Sequence, residues 1–306
     1  MNIMGKRYWF FGLSLAIIIP GMIFLATGGL HPAIDFTGGS LLQLQFASGR
    51  PPQPGPAEQA LTGLGLPGSS VQSVGTDSIA IQAQQMDTTT KDRIVKALST
   101  LFGAATVSQF ESVGPALGSE VAQRAAEAVA LAAVAITLYI TYAFRRVANA
   151  LRFGIAAVIA MIHDVCVVVG VEAILGHFLG WQADSLFLTA LLTVIGFSVH
   201  DTIVVFDRIR ENELTYKRIP FETIVNHSVV QTLDRSINTS LTVLLTLFAL
   251  ALFGGVTTRH FVLILLVGMA SGTYSSIFNA AAILVVWQNR EWHTWFRRRP
   301  ALAPAS

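Results

Sequence analysis

His200 and Asp201 sit side by side in the run IGFSVHDTIVVFDRIREN, before its apolar part has ended. A carboxylate inside an apolar span is expensive, about 2.5–3.5 kcal/mol on insertion scales at mid-membrane, and such residues usually face the interior of a helix bundle on an ion or proton path. The alternative is an acid near the boundary that reaches headgroup water. If the helix starts near Ser185, Asp201 lies about 24 Å along it. A second polar group opens the next apolar run, QTLDRSINTSLTVLL. There Arg235, Asn238, Thr239 and Thr242 recur at i, i+3, i+4 and i+7 and share one helical face. The two helices are antiparallel neighbours in sequence. An Asp201–Arg235 pair would hold the acid ionised, and separating the two would favour its protonated form. The opposing reading has Arg235 snorkelling to lipid phosphates.

The run IHDVCVVVG carries a third candidate, Asp164, near the middle of its segment. It is either a second relay carboxylate or a structural partner that fixes neighbouring helices. His163 is turned about 100° from it, and the two are not expected to point directly at one partner. His200 is expected to be a hydrogen-bonding neighbour rather than a metal ligand, because no H-E-x-x-H or paired-ligand spacing occurs. In GMASGTYSSIFN, Gly268 and Gly272 form a G-x-x-x-G packing surface. Thr273, Ser275 and Ser276 are suited to bonding across the bundle or lining a wet path. Asp207, Arg208, Arg210 and Glu211 read as interfacial stop charges, with Arg208–Glu211 paired at i,i+3.

The elements that must hold these groups are membrane helices. The 306 residues are 53% hydrophobic and 12% charged, against about 25% charged in a soluble domain, and mean hydropathy is +0.59. Six spans are expected, at about 8–28, 125–144, 153–175, 185–207, 237–254 and 261–287. Lys6, Arg7, Arg145, Arg146, Arg152, Arg208, Arg210, Lys217, Arg218, Arg290 and Arg297 to Arg299 fall on one side, which predicts both termini in the cytoplasm. The first span is longer than a signal h-region and lacks a clean cleavage site, so it is expected to stay as an anchor. One cysteine, Cys166, excludes a disulfide framework. There is no phosphate-binding G-x-x-x-x-G-K-[ST] loop and no G-x-S-x-G nucleophile elbow. The expectation is a non-enzyme with no catalytic residues, cofactor, metal or nucleic-acid partner.

Between the first two spans the pattern reads strand (Ser40 to Phe46), helix (Pro56 to Leu64), strand (Ser70 to Val74), strand (Ile79 to Gln82), helix (Thr88 to Phe102) and strand (Thr106 to Glu111). Thr88 to Thr90 offer N-caps for the second helix, and Ile94, Leu98 and Leu101 give it an apolar stripe. The order predicts a small α+β ferredoxin-like domain outside the cytoplasm. The expected organisation is an anchor at 1–28, this extracytoplasmic domain at 29–120, a five-helix transmembrane block at 121–290 and a basic cytoplasmic tail at 291–306. No inverted repeat is visible within the six spans, which disfavours alternating access between two halves of this one chain.

Several of these segments, in this order, resemble the SecF family. They are IDFTGGS after the first span, SVGPALG before the second, HDVCVVVG, SVHDTIVVFDRIREN, NHSVVQTLDRSINTSLT, and FGG followed by GTYSSIF. The family belongs to the resistance–nodulation–division superfamily and supplies one subunit of the SecD–SecF accessory complex of the bacterial Sec translocon. The resemblance covers nearly the whole chain. It implies a pseudo-symmetric pair with SecD, the Sec channel and unfolded preprotein as further partners, a bacterial plasma membrane location, and export assisted by proton-motive force. It also implies that the fourth-span Asp and fifth-span Arg, here Asp201 and Arg235, are proton-pathway residues. Two positions depart from the family's pattern: Ala33 where glycine is commoner, and His200 where a small amide is commoner. The alternatives are a proton-coupled exporter of small molecules or lipids from the same superfamily, or a membrane scaffold that makes no use of protons.

Overall fold

The computed structural model describes residues 1–145 and 150–291. Arg146, Arg297 to Arg299 and the tail beyond Glu291, all used in the charge argument above, lie outside the described residues. Six helices are long and apolar enough to cross a membrane: Met4–Gly28, Pro115–Ala143, Leu151–Leu179, Ser185–Thr215, Phe221–Phe253 and Thr258–Gln288. The protein is a multi-pass membrane protein. Three of these helices run well past the expected apolar limits. The second starts at Pro115 rather than near 125, the fourth continues to Thr215, and the fifth starts at Phe221 rather than near 237. At 1.5 Å per residue the 31-residue fourth helix is about 46 Å long, against a hydrocarbon core of about 30 Å. The extra turns are polar helix that hydropathy does not register.

The chain divides into two compact units. One comprises residues 30–128 and 175–185, the other 1–29, 129–174 and 186–306. The first holds α2 (Ile34–Thr37), β1 (Gly39–Phe46), α3 (Pro54–Gly63), β2 (Ser70–Val74), β3 (Ser78–Ala83), α4 (Thr88–Phe102) and β4 (Ala105–Val113), while α1 (Arg7–Gly28), which precedes them in sequence, belongs to the second. The sheet order is β2-β3-β1-β4 and every neighbour is antiparallel. Leu42, Leu44 and Phe46 alternate along β1 onto one buried face, where they meet Ile79, Ile81, Leu61, Ile94 and Leu98, as the period of two requires. Two details correct the sequence reading. Asp87, not a threonine, caps α4, accepting from the Thr90 amide at 3.0 Å. Leu101 is exposed, and the buried stripe consists of Ile94 and Leu98.

The two glycines of IDFTGGS have a steric reason. Gly38 and Gly39 take φ of 73° and 127°, a region L side chains avoid. A Cβ on Gly38 would lie 2.5 Å from Pro115 Cα, and one on Gly39 would lie 2.7 Å from the Ala83 carbonyl. Gly118 answers from the other segment: its Cβ would lie 2.6 Å from the Gly38 nitrogen. The IDFTGGS and SVGPALG segments therefore meet backbone to backbone.

In the second unit the helices are α5 (Pro115–Ala143, from residue 129), α6 (Leu151–Leu179, to 174), α7 (Ser185–Thr215, from 186), α8 (Phe221–Phe253), α9 (Val256–Tyr274) and α10 (Ala281–Gln288). Between α9 and α10, Ser275–Ala280 follows a π-helical path. Such wide turns occur mostly as single-turn bulges, frequently at functional sites. α1 crosses α6 where Gly21 and Gly170 touch, with no room for a Cβ on either. Polar ties close the ends nearest the chain termini. Arg7 bonds Glu222 at 3.0 Å and Glu291 at 2.6 Å. Arg152, 3% exposed, bonds Glu213 at 2.9 Å and also Gln288.

Candidate functional site

Six helical segments bring polar side chains into the middle of the apolar bundle. Asp164 on α6 is fully buried. Its Oδ2 accepts from Ser198 of α7 at 2.5 Å and Ser275 of the π turn at 2.6 Å. Its Oδ1 accepts from Ser271 of α9 at 2.7 Å and lies 3.0 Å from His163 Nδ1. This carboxylate thus ties together three helical segments through hydroxyls, each able to rotate its proton toward the acid. His163 bonds its own neighbour, a contact the helical-wheel argument had set aside because it considered only a shared third partner.

The network continues one turn deeper along α7. Ser276 donates to the Ser198 carbonyl at 3.0 Å and shares a 2.8 Å bond with Thr202. Beside Thr202 stands Asp201, 4% exposed. Ser236 of α8 faces it, and neither Asp201 Oδ2 nor Ser236 Oγ has a hydrogen-bond partner among the described residues. A second arm links α1 to the π turn: Asn279 Nδ2 donates to Ser14 at 2.8 Å, and Tyr274 donates to the Phe10 carbonyl at 2.7 Å.

The expected Asp201–Arg235 ion pair is not formed, and Arg235 makes no ion pair among the described residues. The residue after Arg235, Ser236, is the one turned toward Asp201. Arg235 is exposed and lines a groove of ≈ 400 Å³ with Asp207, Arg208, Glu211 and Gln231. Adjacent helical positions diverge by about 100°, so two residues of α8 face the groove and the bundle in turn. Asn238, Thr239 and Thr242 are exposed on the Arg235 side. Thr239 and Thr242 return their hydroxyls to the carbonyls of Arg235 and Asn238 at 2.9 and 2.8 Å. Ser275 and Ser276, by contrast, are buried. His200 is exposed. Arg208 pairs with Glu211 at 2.6 Å, at the i,i+3 spacing expected of them.

Gly268 and Gly272 face α7. A Cβ on Gly268 would collide with the Val194 side chain, and one on Gly272 would come within 3.1 Å of Ser198 Cβ. Small residues thus let α9 approach closely enough for Ser271 and Ser275 to reach Asp164. The sequence reading missed Ser198, Ser271 and Ser236, because a serine in an apolar run gives no signal until its partner is known. It also missed Glu172, 1% exposed on α6, which bonds His260 Nε2 at 2.9 Å. A lone acid in VVVGVEAILG was visible as such a signal. No group of three or more metal-ligating side chains is present among the described residues.

An embedded carboxylate network on six spanning helices, with a small sheet unit inserted after the first, defines a multi-pass membrane protein built around buried titratable groups. Residues 93–290 match the family of SecD/SecF protein export membrane proteins in its C-terminal region, and residues 23–49 match the SecD/SecF GG motif. The chain belongs to this family of protein-export membrane proteins. It is 52% identical over 307 residues to the protein translocase subunit SecF of Anaerolinea thermophila, covering 99% of this chain and 100% of that one. It is 49% identical over 318 residues to the SecF subunit of Thermobaculum terrenum, covering both in full. A crystal structure of SecDF from Thermus thermophilus, titled a translocon-associated membrane protein, superposes with a TM-score of 0.83 at 33% identity, covering 95% of this chain and 39% of that one.

Proposed function

We propose that this chain is the SecF-type half of a proton-driven accessory unit that assists preprotein movement through the Sec channel, by a change of shape rather than by catalysis. The observation that carries the reading is Asp201: a carboxylate buried within a membrane bundle, with one oxygen bare among the described residues, Ser236 facing it and the His200 ring as its charged neighbour. A buried charge without partners is costly, and protonation removes that cost. The proton load on Asp201 therefore biases how α7 packs on α8 and the π turn. Arg235, one residue from Ser236, is close enough in sequence to exchange places with it by a rotation of α8 of about 100°. That rotation would give Asp201 a cationic partner in the deprotonated state. A potential of 100 mV supplies about 2.3 kcal/mol per charge moved, so a few protons are enough to drive such a cycle.

SecD is the partner this reading requires. The Thermus thermophilus protein translocase subunit SecDF carries a segment 35% identical to 91% of this chain within a longer polypeptide, of which the match spans 37%. The exposed polar stripe Arg235, Asn238, Thr239 and Thr242, set in a membrane helix, suits a face that packs on such a half. The sheet order β2-β3-β1-β4 with intervening α3 and α4 supports a ferredoxin-like domain between the first two spans, placed outside the cytoplasm with both termini inside. The test is export of a reporter preprotein in cells depleted of the native subunit and supplied with Asp201→Asn. Unprocessed precursor is expected to accumulate while the subunit and its SecD partner remain at normal membrane levels. Normal export would overturn the reading.

A further inference from the structure

Glu172 lies in a part of the molecule that the Asp201 mechanism leaves unused. It stands two turns from the Leu179 end of α6, and His260 lies two residues into the sixth span from its Thr258 end. Both therefore sit toward the end of the bundle at which α1 closes at Gly28. The two are 2.9 Å apart, Glu172 Oε2 to His260 Nε2. Their exposures differ sharply: 21% for the His260 side chain and 1% for Glu172. Glu172 Oε1 is buried with no hydrogen-bond partner among the described residues. Arg259, beside His260, is exposed. α1 beyond Tyr8, α7 as far as Val199 and α8 beyond Arg235 carry no titratable side chain. Further along α6, Asp164 and His163 follow eight and nine residues deeper, about 12 Å away.

We propose that Glu172 and His260 form the proton-loading station at that end, taking a proton from water outside the cytoplasm before the deeper carboxylates receive it. This rests on the proton-coupled reading of Asp201. The imidazole, partly exposed, and the carboxylate, sealed behind it, share one proton position. With neutral imidazole and carboxylate the pair carries one negative charge. One proton added from water makes it neutral, either as imidazolium with carboxylate or as imidazole with carboxylic acid. The proton moves between these forms along the Nε2–Oε2 bond. Neutralisation removes the charge from beside the bare Oε1. A merely structural tie between α6 and α9 needs no titratable group at either end, and the bare oxygen gives it nothing to hold.

The experiment measures export of a reporter preprotein against external pH, with cytoplasmic pH clamped, in cells depleted of the native subunit. The cells carry wild type, Glu172→Gln, Glu172→Asp, His260→Gln or Asp201→Asn, and membrane levels of the subunit are followed in each. Glu172→Gln and His260→Gln are expected to accumulate normally and to lose the dependence of proton-driven export on external pH, with Glu172→Asp restoring it. Asp201→Asn is expected to lose proton-driven export at every pH. Should Glu172→Gln keep the wild-type pH profile while Asp201→Asn blocks export, the loading station is wrong and the Asp201 mechanism stands. If Asp201→Asn exports normally, both fall. If both glutamine variants fail to accumulate, the pair is a structural tie and the inference is overturned.

Discussion

Asp164 and Asp201 are the same residue type, buried to nearly the same degree in neighbouring helices, yet their surroundings are opposite. Asp164 receives three hydroxyls and an imidazole nitrogen, so both oxygens are occupied. Asp201 keeps an oxygen with no partner among the described residues, opposite a serine that also lacks one there. A fully bonded carboxylate resists change, because moving it strands several donors at about 1–3 kcal/mol each. A bare one gives up little when it gains a proton or turns toward a new partner. The contrast separates a fixed pivot from a moving part within one polar network.

The sharpest way to break this contrast is to remove both acids in turn and compare stability. Asp164→Leu strands the hydroxyls of Ser198, Ser271 and Ser275 and is expected to lower unfolding stability in detergent by more than about 3 kcal/mol. Asp201→Leu removes an underbonded buried charge and is expected to leave the unfolding midpoint unchanged or to raise it. Equal losses in both would erase the distinction. A smaller effect comes from the contact that lets the serines reach Asp164. Gly268→Ala sets a methyl into Val194 and is expected to cost about 1–3 kcal/mol. It should loosen the Asp164 cluster, seen as faster hydrogen exchange at Ser271 and Ser275, without touching Asp201.

The smallest effect lies far from either acid and serves as a control. The Asp87 carboxyl is held at about 2, below its ordinary 3.8, by hydrogen bonds from Thr89 and Thr90 at the start of α4. Because the folded value is depressed, this cap supports α4 fully above pH about 4 and is lost as pH falls through about 2. Exchange protection of the first turn of α4 should therefore decline over that window in wild type and be absent at all pH values in Asp87→Ala. The Asp164 cluster should not respond to the Asp87 change.

Much of this molecule was legible before its structure. The six spans, the strands around Ser70–Val74 and Ser78–Ala83, and Thr88–Phe102 as a helix follow from hydropathy and period. Asp201 and Asp164 stood out because an acid in an apolar run is conspicuous. What stayed hidden was pairing across helices. The i, i+3, i+4 pattern around Arg235 correctly grouped residues on one face, but it could not say which face meets α7, and the face turned inward belongs to Ser236. Serines at 198 and 271 gave no periodic signal, since one hydroxyl in a membrane helix can also bond its own preceding turn. The π turn at Ser275–Ala280 was likewise invisible, as its wider register is set by packing rather than by composition.

The meeting of Gly38 and Gly39 with Pro115 and Gly118 also fixes an order of events during synthesis. β1 is a central strand, and one of its two neighbours, β4, is paired from Gly39 to Val113, so the sheet holds its earliest and latest residues side by side. Contacts so distant in sequence form late. As the chain leaves the ribosome, β1 is made just after the anchor, but it cannot be flanked on both edges until residues 105–118 have followed it. Until then it offers an open edge of the kind that pairs with other chains. The opening of the second membrane helix is therefore also the piece that closes the sheet, and the newborn protein stays vulnerable at that edge until its next span is at hand.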